Sequence, residues 1–232
     1  MSESHESNQF SVLFVCTGNI CRSPLAEQLF TSAVSNLPAL RAGSAGTMAN
    51  QGAPMTEQAA DLSTSYGGYP KEHRAKMLSP HLISAASLVL TATRAQRSEV
   101  VSMLPKAIRK TFTLREFARL VSAFEWNDSL RQAPYPSSDI ADLHAFVDVV
   151  RRMRGLEREV IEPLDDDIVD PYKESQNVYD EAGRVISGAV RTVAEAFARL
   201  VGDSSSGLRA TGPIQSNLAT DLQRSSFTRF DR

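Results

Sequence analysis

The stretch VCTGNICRSP, residues 15–24, joins two segments of contrasting pattern in a chain of 232 residues. The apolar run SVLFV at 11–15 precedes it and predicts a short buried strand. A helix is predicted to follow over residues 24–34, with Pro24 at its first position and Ser23 as its N-cap. Its apolar face is predicted to comprise Leu25, Leu29, Phe30 and Val34. The sequence therefore places this stretch in a loop between a buried strand and a helix.

The composition of this loop is typical of an anion-binding nest. Backbone N–H groups ahead of a helix can converge on one point, where the helix dipole adds positive potential. Gly18 and Asn19 tolerate the left-handed backbone that a tight nest requires, and Arg22 adds a planar fork for two phosphate oxygens. The same field is expected to keep Cys16 as a thiolate at neutral pH, ready to act as a nucleophile. We prefer this interpretation to a buried apolar Cys16 beside a surface Arg22, because the strand, the glycine and the helix start agree with it.

Strands and helices alternate along the rest of the chain. Further strands are predicted at 40–47, 86–91 and 110–114. Helices are predicted at 55–65, 94–104, 115–121, 140–154 and 176–201. Such alternation is typical of a parallel sheet that is covered on both faces. We therefore predict an α/β fold, a three-layer sandwich with a central four-stranded parallel sheet and helices on both faces.

One domain is predicted over residues 10–201, after a flexible N-terminus at 1–9. A region of weak pattern at about 122–160 is predicted to be an insert, and its Trp126 and Tyr135 are candidates for a substrate groove or for loop packing. Residues 202–232 are rich in serine, glycine, threonine and arginine, which predicts a mostly disordered tail. The sequence assigns no role to the insert or to the tail.

Composition and charge exclude several classes of function. The formal net charge of −2 offers no basic field for nucleic acid, and no apolar run is long enough for insertion into a membrane. The two cysteines share one loop, which is typical of a reducing compartment, and the polar N-terminus lacks a secretory signal. These features predict a cytoplasmic protein. The four histidines lack metal-ligand spacing, so no metal and no cofactor are expected.

Residues 15–24 resemble the signature loop of the low-molecular-weight protein tyrosine phosphatase family, and the length of the chain resembles its longer bacterial members. The similarity continues in SAGT at 44–47, HRAK at 73–76 and DPY at 170–172. The resemblance implies three catalytic residues: Cys16 as nucleophile, Arg22 as phosphate clamp and Asp170 as general acid. The phosphate-binding segment then comprises Thr17, Gly18, Asn19, Ile20, Cys21, Arg22 and Ser23.

The resemblance also implies supporting roles for residues outside the loop. Ser44 and His73 are expected to hydrogen-bond around the loop with Asn19 and Ser23, and Tyr172 is expected to form an aromatic wall beside the substrate ring. Pro171 biases Asp170 toward an extended backbone, although an Asp-Pro pair on its own is also a common turn. A phenol leaving group with a pKa near 10 needs a proton donor, which favours the acid role.

The activity implied is hydrolysis of phosphotyrosine in proteins, and an autophosphorylating bacterial tyrosine kinase is an expected partner. Three alternatives stay open: reduction of arsenate with an external small thiol, hydrolysis of small phosphomonoesters, and a non-catalytic phosphate-binding module. Thioredoxin-coupled arsenate reduction requires further cysteines, which this chain lacks. Cys21 matches a cysteine that in relatives can trap the oxidised nucleophile as a disulfide; packing beneath the loop is the alternative.

Overall fold

The computed structural model describes residues 9–124, 139–154 and 166–205. Its centre is a parallel sheet of four strands in the order β2-β1-β3-β4. The strands are β1 (Phe10–Cys16), β2 (Leu40–Gly46), β3 (Leu88–Thr91) and β4 (Thr111–Thr113). The predicted positions of all four strands are confirmed to within a few residues.

Seven α-helices connect and cover the strands in the described parts of the chain. They are α1 (Arg22–Ala33), α2 (Glu57–Ser65), α3 (Pro80–Ala85), α4 (Arg94–Met103), α5 (Leu114–Ser122), α6 (Asp139–Met153) and α7 (Gln176–Ser205). Short 3-10 turns lie at Pro70–Glu72 and Pro105–Lys110. In the regions that the structure describes, no helix is sufficiently long and apolar to cross a membrane.

Side chains of β1 alternate between the two faces of the sheet and so divide the core in two. Phe10, Val12 and Phe14 belong to the larger apolar cluster, which includes the buried faces of α1, α5 and α7. Leu13 and Val15 belong to the smaller cluster, which includes Ile83 of α3 and Val100 of α4. The sheet is therefore covered by helices on both faces, and the predicted three-layer α/β sandwich is confirmed.

The order of the strands positions the loop that follows β1. From β1 the chain crosses to β2 on one side and later to β3 on the other side, so the connections diverge between β1 and β3. In open parallel sheets a crevice forms at such a switch point, beyond the carboxyl ends of the strands. The carboxyl end of β1 is Cys16, so the crevice begins at the predicted anion-binding loop.

One local prediction was wrong, and one short helix was missed. Helix α1 begins at Arg22 with Cys21 at the N-cap, and the hydroxyl of Ser23 does not cap it because it faces Cys16 and Asn19 within the loop. Helix α3 was not predicted, because it spans six residues and buries only Ile83, which leaves no apolar periodicity to detect. The helix predicted at 140–154 is confirmed as α6, which lies within the predicted insert.

Several predictions fall on other parts of the chain. Helix α7 continues to Ser205, so the first residues of the predicted tail are helical, and residues 206–232 lie outside the described ranges. The same holds for residues 1–8 and for most of the insert, including Trp126 and Tyr135. The domain limits of 10–201, the insert at about 122–160 and the disordered tail remain predictions.

Candidate active site

A cleft of about 450 Å³ opens at the carboxyl end of β1. The residues that line it come from the loop after β1, from the segment after β2 and from the segment before α7. They are Cys16, Thr17, Gly18, Ile20, Cys21, Arg22, Met48, Asn50, Ala53, Pro54, Asp170 and Tyr172. The predicted nucleophile, clamp and acid are therefore brought together in one cleft, although the acid lies far from the loop in sequence.

Cys16 is the last residue of β1 and its side chain is almost completely buried. Its Sγ lies 3.0 Å from Ser23 Oγ and accepts a hydrogen bond from the backbone N–H of Asn19 at 3.3 Å. Helix α1 starts a few residues later, so the positive end of its dipole adds positive potential to the loop. This environment suits a sulfur that carries negative charge.

Asn19 fixes the shape of the loop from its centre. Its backbone is left-handed, with φ 54°, and its side chain is fully buried. Nδ2 donates to Ser23 Oγ at 2.9 Å and to Ser44 Oγ at 2.8 Å, while Oδ1 accepts from the backbone N–H of Lys76 at 2.8 Å. Because the buried amide uses both of its donors and its acceptor, it holds the left-handed turn rigidly in place.

His73 and Ser44 support this turn from neighbouring segments. His73 Nε2 lies 2.7 Å from the carbonyl oxygen of Asn19, and Ser44, on β2, donates to Glu27 Oε2 at 2.5 Å. Both residues thus contact the loop backbone or its central asparagine, as the resemblance implies. Glu27, on α1, was not predicted from the sequence; it orients the Ser44 hydroxyl so that its oxygen can accept from Asn19.

Gly46 lets β2 approach the loop closely. A Cβ at this position would lie 2.9 Å from the backbone nitrogen of Asn19 and closer still to the carbonyl oxygen of Thr17. Both are backbone atoms in a packed loop, so they cannot move aside at low cost. Any side chain at position 46 must therefore distort the loop after β1.

Gly46→Ala is expected to destabilise the protein by ~1–3 kcal/mol and to abolish phosphate binding. Thermal unfolding with and without inorganic phosphate measures both effects. Gly43→Ala is the matched control, since a Cβ at Gly43 on the same strand meets nothing within 4 Å. Normal phosphate stabilisation of the Gly46→Ala variant would show that the loop does not depend on this close approach.

Arg22 is almost completely buried and links the loop to the segment that carries Asp170. Its Nη1 donates to the carbonyl oxygen of Ile168 at 3.1 Å, and its Nη2 forms a salt bridge with Asp170 Oδ2 at 2.6 Å. Within the described residues its buried Nε has no protein acceptor. The edge of the guanidinium formed by Nε and Nη2 can therefore receive two oxygens of an anion, one of them in place of the Asp170 carboxylate.

Asp170 and Tyr172 occupy the outer wall of the cleft. Half of the Asp170 side chain is exposed, its Oδ1 accepts from the backbone N–H of Tyr172 at 3.3 Å, and Pro171 between them is buried. The Tyr172 ring is 48% exposed and faces the cleft. Lys173 follows in the left-handed conformation, with φ 65°, and turns the chain back toward α7. An exposed acid and an exposed aromatic ring thus line the same cleft as the buried sulfur.

Cys21 lies beneath the loop in a different environment from that of Cys16. Its Sγ is 3.4 Å from Thr56 Oγ1 and 3.7 Å from the hydroxyl of Tyr179. Burial raises the pKa of the Cys21 thiol, and burial likewise raises the pKa of Tyr179. Cys21 is therefore expected to stay a protonated thiol at neutral pH, which leaves Cys16 as the candidate nucleophile.

Gln96 is a further contact of the loop that the sequence did not reveal. It is buried in the first turn of α4, and its Nε2 donates to Thr17 Oγ1 at 3.0 Å. Thr93 and Gln96 form a capping box, which fixes the rotamer of the glutamine. The spacing Thr-x-x-Gln after a buried strand is a recognisable helix start, but only the sheet order shows that it faces the loop.

The fold and the site together define an α/β protein in which a cysteine and an arginine line one cleft at the carboxyl end of a parallel sheet. The profile of the low molecular weight phosphotyrosine protein phosphatases matches residues 11–162. The chain therefore belongs to the low molecular weight phosphotyrosine protein phosphatase family, whose members are hydrolases. Asp170 and Tyr172 lie beyond the matched residues.

The similar proteins carry two kinds of name, tyrosine phosphatase and arginine phosphatase. Over 148 residues the chain is 34% identical to the probable low molecular weight protein-tyrosine-phosphatase EpsP of Ralstonia solanacearum, covering 63% of this chain and 97% of that one. It is 36% identical over 108 residues to a protein-arginine-phosphatase of Geobacillus stearothermophilus, covering 47% of this chain and 71% of that one. A solved structure of a low molecular weight protein tyrosine phosphatase from T. tengcongensis matches with a TM-score of 0.58 and 28% sequence identity. The match covers 81% of this chain and 99% of that one.

Proposed function

We propose that this protein hydrolyses phosphotyrosine in proteins through a phosphocysteine intermediate on Cys16. The observation that carries the proposal is the meeting of three groups in one cleft: the hydrogen-bonded sulfur of Cys16, the buried guanidinium of Arg22 and the half-exposed carboxyl of Asp170. A nucleophile, an anion clamp and a proton donor are the parts that this reaction requires.

In the first step the Cys16 sulfur attacks phosphorus, and the bond from phosphorus to the phenol oxygen breaks. Arg22 and the N–H groups of the loop bind the three other oxygens as charge spreads over them. Binding of the phosphate releases Nη2 of Arg22 from the Asp170 carboxylate, because one oxygen of the anion replaces it. Asp170, protonated for this step, gives its proton to the departing phenol oxygen, so that tyrosine leaves as a neutral phenol.

In the second step a water molecule enters the place of the leaving group. Asp170, now a carboxylate, takes a proton from this water, whose oxygen attacks phosphorus and breaks the bond to Cys16. Inorganic phosphate is released and the thiolate is regenerated. The hydroxyl of Ser23, 3.0 Å from Sγ, can donate to the sulfur as it departs and so stabilise its returning charge.

The walls of the cleft support an aryl phosphate as substrate. The lining includes Ile20, Met48, Pro54 and Tyr172, whose apolar surfaces can pack against an aromatic ring. Phosphoarginine is the second candidate, because one relative is named an arginine phosphatase. A guanidinium carries several N–H donors and a charge, whereas Asp170 is the one carboxylate among the described residues that line the cleft. The apolar walls favour tyrosine.

The decisive assay compares matched peptides that carry phosphotyrosine, phosphoarginine or phosphoserine, together with a small alkyl phosphate and thiol-dependent arsenate reduction. We expect the phosphotyrosine peptide to have the highest kcat/KM. Faster turnover of phosphoarginine, or arsenate reduction without phosphatase turnover, would refute this substrate assignment. An autophosphorylated bacterial tyrosine kinase is the proposed protein substrate, and its dephosphorylation by this protein is the corresponding test.

Oxidation supplies a second prediction, which concerns Cys21. Peroxide is expected to inactivate the enzyme by oxidising Cys16 to a sulfenic acid, and Cys21 is expected to condense with it as a disulfide that thiols reduce. Wild type should then recover its activity on addition of dithiothreitol, whereas Cys21→Ser should recover markedly less. Equal recovery of the two proteins would show that Cys21 only packs beneath the loop.

A further inference from the structure

Residues 166–168, which lead to Asp170, are held against the rest of the protein by backbone hydrogen bonds of Ile168 and by the side chains of Asp166 and Asp167. The backbone N–H of Ile168 donates to the carbonyl oxygen of Ala92 at 2.9 Å, and Arg22 donates to the carbonyl oxygen of Ile168. Asp170 itself is half exposed and its carboxyl contacts Arg22 and the N–H of Tyr172. The position of the acid therefore depends on how firmly residues 166–168 are held.

Asp167 attaches this segment to the first turn of α4. Its Oδ1 accepts a hydrogen bond from the backbone N–H of Arg94, the first residue of the helix, at 2.7 Å. The capping box of Thr93 and Gln96 satisfies other N–H groups of the same turn, so α4 has its own N-cap without Asp167. The Asp167 contact is thus additional to what the helix needs to start.

Two arginines of α5 hold the same segment from the other side. Arg119 Nη2 donates to both carboxylate oxygens of Asp166, at 3.2 and 3.4 Å, and Arg115 Nη1 donates to the carbonyl oxygen of Asp167 at 3.1 Å. The side chains of Asp166, Asp167, Arg115 and Arg119 are all partly shielded from water. Arg94 is exposed, but only its backbone N–H takes part. We name the group Asp166, Asp167, Arg115 and Arg119 the acid-loop clamp.

The first turn of α4 also reaches the phosphate-binding loop, through the bond from Gln96 to Thr17 Oγ1. One helical turn thus contacts the loop that carries the nucleophile and, through Asp167, the segment that carries the acid. The first turn of α4 therefore joins the two segments, in addition to the direct link that Arg22 makes between them.

We propose that the acid-loop clamp positions Asp170 for proton transfer, with Asp167 on the first turn of α4 as its principal positioning residue. The inference rests on the proposed function, since it assigns Asp170 as the general acid. Proton transfer requires the acid within hydrogen-bond reach of the leaving oxygen, and a displacement of about 1 Å can cost ~100-fold in rate. Without the clamp, Asp170 stays chemically intact but is no longer held over the sulfur.

The test uses Asp167→Ala in the full chain and two substrates that differ in leaving group. The phenol of tyrosine is a weak acid and needs a proton as it leaves, whereas p-nitrophenol is a far stronger acid and needs little help. For Asp167→Ala we expect kcat/KM to fall ~10-fold or more with a phosphotyrosine peptide, and less than ~3-fold with p-nitrophenyl phosphate. Asp167→Asn keeps an oxygen acceptor for Arg94 N–H and should recover most of the loss.

Three further proteins make the result specific to the acid: Asp170→Asn, its combination with Asp167→Ala, and Asp180→Ala. In an Asp170→Asn background, Asp167→Ala should cause no additional loss, because it acts through Asp170. Asp180→Ala, which removes an exposed carboxylate of α7 that accepts from Gln176 Nε2, is the control for a general effect of losing an aspartate. Asp167→Ala, Asp167→Asn and Asp180→Ala should all retain inorganic-phosphate binding, measured as the shift of the thermal midpoint by phosphate.

The outcomes separate this inference from the proposed function. If Asp167→Ala lowers kcat/KM equally for both substrates, does not lower it, or still lowers it in the Asp170→Asn background, the clamp does not position the acid. Failure of wild type to hydrolyse any phosphotyrosine peptide refutes the proposed function instead. A selective loss that Asp167→Asn reverses supports the clamp.

Discussion

Cys16→Ser is expected to lower phosphatase turnover by at least ~10⁴-fold while leaving the binding of phosphate intact. Serine keeps the size of the side chain, but its hydroxyl is not ionised at neutral pH, so the nucleophile is lost. The contacts that would bind the anion, from the loop backbone and from Arg22, do not involve the sulfur. The measurements are kcat with a phosphotyrosine peptide and the shift of the thermal midpoint by inorganic phosphate.

Cys21→Ser is the matched control for the loss of a thiol from the same loop. Cys21 contacts Thr56 and Tyr179 beneath the loop, and we expect its replacement to reduce turnover by no more than about tenfold. If Cys16→Ser retained substantial turnover, or if both serine variants lost activity equally, Cys16 could not be the nucleophile.

Asp170→Asn is expected to lower kcat for phosphotyrosine by ~10²–10⁴-fold, the range by which general acid–base catalysis contributes. The affinity for inorganic phosphate should be unchanged or tighter. The reason lies in the salt bridge of 2.6 Å between Arg22 Nη2 and Asp170 Oδ2, which an incoming anion must displace. A neutral amide competes less strongly for the guanidinium.

Steady-state kinetics and phosphate inhibition together distinguish this mechanism from simple damage. Loss of structure would weaken phosphate binding along with turnover, whereas removal of the acid separates the two. Glu174→Gln is a suitable control, because it neutralises an exposed carboxylate in the same segment. Turnover at the wild-type rate in Asp170→Asn would remove Asp170 from the mechanism.

The position and shape of the loop after β1 could be predicted because the determinants of the loop are local. A buried strand, residues that accept left-handed backbone and a helix start follow one another within residues 11–34. The structure bears out the left-handed turn at Asn19, although the N-cap is Cys21 rather than Ser23. The difference has a physical cause, since the serine hydroxyl is within hydrogen-bonding distance of Cys16 and Asn19.

Contacts between distant segments could not be predicted in the same way. Tyr179 approaches Cys21 across 158 residues of sequence, and Arg22 reaches Ile168 across 146. Neither tyrosine nor isoleucine carries a local signal for such a role. Gln96 is partly predictable. The capping box of Thr93 and Gln96 indicates the start of helix α4 from local sequence, but the contact of Gln96 with Thr17 follows only from the order of the strands.

Alkylation of the two cysteines by iodoacetate, with and without inorganic phosphate, tests most directly whether Cys16 is an ionised sulfur in an anion-binding loop. Mass spectrometry of the digested protein reports each cysteine separately, and Cys21, whose pKa is raised by burial, serves as the internal control. We expect rapid modification of Cys16 at neutral pH, strong protection of Cys16 by phosphate, and no modification of Cys21. Slow modification of Cys16 that phosphate does not affect would contradict the account.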